Sequence, residues 1–142
     1  MSSSTHVRLL RGSGALLVLL GIVHLVATPH ISNLIRHSAS ISGADRLIPP
    51  MLLNHVLVGV LLLPLGYLTL YAAPHSAARV AWAQVVVRTT ALTVAILPVT
   101  LLALMGVRYF EAPLFVLGAA LVVAAAVTLL LVAFSTPRDR LG

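Results

Sequence analysis

The sequence predicts an all-α fold: a polytopic membrane protein, a four-transmembrane-helix bundle with its N and C termini cytoplasmic. Three observations predict it. The 142 residues are 60% hydrophobic and 8% charged, against about 25% charged in an average soluble domain. Mean hydropathy is +1.09. The apolar residues gather in four long runs with the charges at their edges, and each run is near the ~20 residues that cross ~30 Å of hydrocarbon.

The first run spans residues 13–31 and follows Arg8 and Arg11. Such a start resembles a signal peptide. The run is longer than the usual 7–15 or so apolar residues, however, and no small-x-small cleavage site follows, so it reads as a span. The second run covers residues 50–73, the third 81–105 and the fourth 113–134, within a single domain over 1–142. Pro50 and Pro113 suit a first helical turn, where a missing N–H costs nothing. Pro64 and Pro98 fall inside their runs and predict kinks. The longest connection, Ser32 to Pro49, is rich in Ser and Gly and predicts irregular structure, with Ile41, Leu47 and Ile48 against the membrane surface.

Arginine sets the orientation. Arg8, Arg11, Arg79, Arg88, Arg138 and Arg140 fall on one side of a four-span chain, and Arg36, Arg46 and Arg108 on the other. The larger group marks the cytoplasm. The net charge of +6 belongs to this topology and not to nucleic acid, because the scattered arginines make no basic face. The sequence has no cysteine, which excludes disulfides, thiolate metal sites, iron–sulfur clusters and covalent haem attachment.

Helix interfaces in membranes collect small and hydroxylated residues, since lipid already satisfies the apolar ones. In the first run Gly14, Gly21 and Thr28 recur every seven residues, and His24 shares their stripe. In the second, His55, Gly59, Leu62, Gly66 and Thr69 lie along one helical face. Thr89, Thr93 and Thr100 line the third, and Gly118, Ala125 and Thr128 the fourth. His24 is placed about 10 Å from the outer end of its run and His55 about 8 Å, at 1.5 Å per residue. Antiparallel neighbours would therefore bring the two imidazoles together, with Asn54 beside them and His30 and His37 nearer the outer water.

An intramembrane histidine is costly and is a functional candidate by default. Four readings of the pair stand. It pins two helices by an interhelical hydrogen bond. It ligates haem b, although helices 8–10 Å apart leave little room for one imidazole on each haem face. It binds a divalent metal such as zinc or copper through His24, His55 and either His30 or His37, with Pro29 breaking the helix between them. It relays protons in a small oligomeric transporter, since Asp45, Glu111 and Asp139 all fall in loops or at ends. Arg88, seven residues into the third run, snorkels to the inner headgroups or binds an anionic head or a quinone carbonyl. His24, His55, Asn54 and Arg88 are thus the candidate cofactor-binding residues. Arg108, Tyr109 and Glu111 form an interfacial anchor. No GxSxG, HExxH or P-loop is present, so no enzyme chemistry is indicated.

The segment GIVHLVATP, Gly21 to Pro29, with its glycine, histidine and proline near the end of a first helix, resembles small bacterial membrane proteins of the DoxX-like kind. That resemblance implies a bacterial inner-membrane protein, sometimes tied to quinone-linked or thiol redox systems, and it transfers no catalytic residue. Lack of cysteine weakens the thiol version. The expectation is a small membrane binding or accessory protein, self-associating or attached to a membrane redox partner. Its histidine site would hold a metal, haem or quinone; the alternatives are the transporter and a purely structural subunit.

Overall fold

In the computed structural model, which describes residues 1–38, 48–106 and 113–135, the chain forms four helices in sequence order. These are α1 (Ser3–Ser38), α2 (Ile48–Ala77), α3 (Ala81–Met105) and α4 (Pro113–Phe134). All four contain a stretch long and apolar enough to cross a membrane, so the chain is a multi-pass membrane-helix protein. Val26 is 74% exposed and Leu104 81%. Large apolar side chains are left uncovered in this way where the surrounding solvent is lipid.

The boundaries of α3 and α4 coincide with their apolar runs, whereas α1 and α2 are longer. α1 begins ten residues before Ser13 and continues past Ile31 to Ser38, through Pro29. Pro29 therefore does not break the helix as expected. A proline costs one internal N–H bond, which membrane helices tolerate when neighbouring groups re-satisfy the freed backbone. The expected outer loop loses its first seven residues to α1, and Ile48 is buried at the start of α2 instead of lying on a surface. Residues 39–47, 107–112 and 136–142 lie outside the described residues. With them go the expectations for Ile41, Leu47, the Arg108–Tyr109–Glu111 anchor, all three acids, Arg46, Arg138 and Arg140. Pro64 and Pro98 lie within continuous helices.

Each helix packs against its sequence neighbour, and α4 closes back on α1. The bundle thus has a terminal end, with the start of α1, the α2–α3 turn and the end of α4, and a distal end at the other two connections. Buried positions follow alternating steps of four and three. On α1 this stripe is His6, Leu10, Ser13, Leu17 and Leu20, with Gly14 and Gly21 buried beside it; on α2 it is Gly59, Leu62, Gly66, Thr69, Ala73 and Ser76, with Ala72 beside it and Ile48 buried at the helix start. That spacing is the seam of a left-handed helical bundle. Thr90 and Ala91 carry it on α3, while Thr89, Thr93 and Thr100 are exposed. The expected threonine face is therefore turned by about 100°, one residue's rotation. Ala125 and Leu129 carry the seam on α4.

The α2–α3 turn is closed by its backbone. Arg79 N–H donates to Ser76 O (3.0 Å) and Val80 N–H to His75 O (2.9 Å), the two bonds of a Schellman motif. Arg79 occupies the left-handed position at φ 60°. Beside it Tyr71, His75 and Trp82 contact one another, with ring centroids 5.2–5.7 Å apart, forming the kind of aromatic group that sits at headgroup level.

α1 and α2 make the most extensive contact in the bundle, and glycines make it possible. A Cβ on Gly66 would stand 2.6 Å from the carbonyl oxygen of Gly14. One on Gly21 would stand 2.9 Å from that of Gly59. Gly66→Ala is expected to destabilise the fold by about 1–3 kcal/mol through overpacking. Gly12→Ala, where nothing lies within 4 Å, should be neutral or stabilise by about 0.5–1 kcal/mol from helix propensity. SDS-induced unfolding in micelles, followed by circular dichroism, reads both.

Candidate site: a stacked histidine pair

The glycine seam sets the register of α1 against α2, and the register brings His24 to His55. Their ring centroids are 4.8 Å apart and their planes 28° from parallel. A Cβ on Gly59 would stand 3.0 Å from the Cβ of His24, so the glycine one turn from His55 makes room for the other histidine's stem. Both rings are half-buried.

Hydrogen bonding fixes which nitrogens carry protons, because a backbone carbonyl only accepts. His24 Nδ1–H donates to Leu20 O at 3.0 Å, within its own helix. His55 Nε2–H donates across the seam to His24 O at 2.9 Å. The same carbonyl accepts Thr28 Oγ–H at 2.9 Å. In the neutral rings the remaining nitrogens, His24 Nε2 and His55 Nδ1, hold lone pairs. Each imidazole is thereby oriented by a backbone bond and presents an acceptor.

The pair sits where the core ends. The last buried residue of α1 is Gly21 and of α3 Val94, and the first of α4 is Val122. On α2 the buried stripe stops at Gly59, apart from Ile48 at the helix start. These limits hold among the described residues. Beyond them the same stripe positions, His24, Ala27 and Ile31 on α1 and His55 and Leu52 on α2, are partly exposed. The histidines are therefore the first polar groups above a sealed apolar floor that includes Leu17, Leu20, Leu62, Val94 and Val122. At the same end Pro98, Leu101, Leu102, Val116, Ala119, Ala120 and Val123 line an apolar cavity of 210 Å³ between α3 and α4.

Other candidates stand apart from the pair. His24 is 14 residues from the end of α1, twice the seven expected, because α1 continues; His55 is seven from the start of α2. His30 and His37 are exposed on the distal stretch of α1, and His37 bonds Asn33 O in its own helix at 2.7 Å. Among the described residues no group of three or more His, Cys, Asp or Glu is placed to hold a metal. The rigid helix through Pro29 explains why His30 does not turn back to His24. Asn54 is exposed, off the interior stripe that carries His55. Arg88 reaches the end of α4: its Nε–H donates to Ala133 O at 3.4 Å, and its guanidinium lies 5.7 Å from the centre of the Phe134 ring. A cation there meets unpaired carbonyls and the negative end of the helix dipole.

A haem clamped between His24 and His55 does not fit this arrangement. An axial imidazole points a nitrogen at the iron from one haem face, whereas these two rings stack face to face with centroids 4.8 Å apart and leave no gap between them.

His6 was not singled out from the sequence. It is 2% exposed at the terminal end, its Nε2 lies 3.3 Å from Ser76 Oγ, and its Nδ1 is buried without a partner. The signal was present: His6, Leu10, Ser13, Leu17 and His24 share one four–three stripe.

Two outcomes follow for stability. His55→Ala removes an interhelical bond and should cost about 0.6 kcal/mol, with ~1.7 as the upper end. His24→Ala should cost less, since its ring bonds only its own helix. Arg88→Ala should cost about 1 kcal/mol, combining the helix-end charge and the ring contact. Unfolding of the three variants in micelles checks the order.

No protein-family model, curated protein or solved structure matches this chain, so the site is read from its own residues.

Proposed function

We propose that this chain is a small integral membrane binding or accessory protein of a bacterial inner membrane, with both termini in the cytoplasm. It self-associates or serves a membrane redox partner, and its His24–His55 pair holds a small organic ligand, a quinone-type ring, for that partner. The observation that carries this reading is the placement of the pair. Two imidazoles, each oriented by a backbone bond, stand at the first level above the sealed core, where the interior stripe opens. Of the ligands the sequence suggests, an organic ring fits best. Contacting imidazoles leave no slot for a porphyrin, and two nitrogens fall short of the three protein ligands of a zinc site. The DoxX-like resemblance of Gly21 to Pro29 points the same way.

A structural reading is favoured by one observation of its own, the bond from His55 Nε2–H to His24 O, which pins α1 to α2. The proton-relay reading draws on His6, at the other end of the stripe, but between His6 and His24 the α1 stripe holds Leu10, Leu17 and Leu20 with Ser13 as its one hydroxyl.

The test is the protein purified in detergent, by visible spectrum, metal analysis and extraction of bound organic molecules. We expect no Soret band, substoichiometric zinc and copper, and a co-purifying quinone-type ring, reduced or oxidised, lost from the His24→Gln/His55→Gln double variant. A Soret band or stoichiometric metal overturns the choice of ligand. A double variant that keeps the same ligand content overturns the site.

A further inference from the structure

The protonation pattern of the pair carries information about what it recognises. A hydrogen-bonding site declares itself by what remains after its internal bonds are made. Here both ring N–H groups are spent, one on Leu20 O and the other on His24 O. Rotating either ring to free its N–H gives up that ring's bond to a backbone carbonyl. For His55 that bond is the interhelical one. The two remaining nitrogens, His24 Nε2 and His55 Nδ1, only accept. Among the described residues no donor accompanies them: Asn54 is exposed off this face, and Thr28 Oγ–H is committed to His24 O at 2.9 Å.

We infer that the pair is an acceptor site, selective for apolar molecules that present a hydroxyl group and blind to their carbonyl counterparts. Resting on the binding role proposed above, this assigns the site to the reduced form of its ligand. A hydroquinone donates O–H to an imidazole nitrogen; the corresponding quinone has only acceptor oxygens, which would face lone pair to lone pair. An unmatched acceptor pair costs more than the bond it replaces, so the two forms should separate. The same chemistry is offered by a lipid alcohol such as a diacylglycerol, and the experiment distinguishes the two sources.

The full-length protein in phosphatidylcholine nanodiscs, kept anaerobic, is titrated with decyl-hydroquinone, its di-O-methyl ether, decyl-quinone and dioctanoylglycerol. Affinity is measured alongside the 15N shifts of the two imidazoles. The hydroquinone is expected to bind at least about tenfold more tightly than its ether and its quinone, the worth of one hydrogen bond. It should also move the shifts of the nitrogens that lack protons. The 15N signals need no variant, so the result does not depend on a substituted protein folding. Tighter binding of dioctanoylglycerol, with the same nitrogens shifted, supports the acceptor chemistry and assigns the lipid as its source. Equal or tighter binding of the quinone or the ether overturns the inference while leaving a binding site in place. If none of the four probes binds, both the inference and the binding role fail.

Discussion

The close approach of α1 to α2 is the constraint on which the rest of this structure depends. In lipid there is no water to expel from between two helices, so they associate through packing and the occasional polar bond. Gly14, Gly21, Gly59 and Gly66 let backbone meet backbone over most of the seam. With the helices so close, one register is permitted, and in that register His24 must face His55. The stacked rings and the bond into His24 O are consequences of glycine placement. The imidazoles add a modest increment to a contact the glycines already define.

That dependence explains how much could be read in advance. The four spans were legible because hydrocarbon thickness imposes a length, and α3 and α4 keep their expected bounds. The glycine–histidine stripes were legible because spacing of 3.6 residues per turn identifies a face without any tertiary information. His24 and His55 meeting was therefore readable. The helix ends were not: α1 gains ten residues before Ser13 because His6 and Leu10 pack on the bundle although Arg8 and Arg11 interrupt the apolar run. Pro29 suggested a stop that the surrounding helix overrides. Burial of Thr90 instead of Thr89 was not legible for a different reason, since the adjacent threonines fall on different faces and the periodicity of α3 is weak. Arg88 finding the end of α4 depends on how two helices are staggered, which local sequence does not encode.

The site combines economy with limitation. All three carboxylates lie outside the described residues, and the sequence has no cysteine. Backbone bonds do the orienting that carboxylates perform around many functional histidines. Substituting Leu20, whose carbonyl holds the His24 ring, or Gly59, which makes room for the His24 stem, would therefore disturb the site through the helix geometry.

The core also ends halfway along the bundle. Among the described residues and apart from Ile48, burial is confined to the terminal half, whereas the α1–α2 seam continues to His24 and His55. The packed leucine, valine and alanine of the terminal half hold the two hairpins, α1–α2 and α3–α4, together there, and the histidine pair sits on the α1–α2 hairpin beyond that packing. How α1–α2 faces α3–α4 at the level of the pair is thus set by contacts made toward the other end of the molecule.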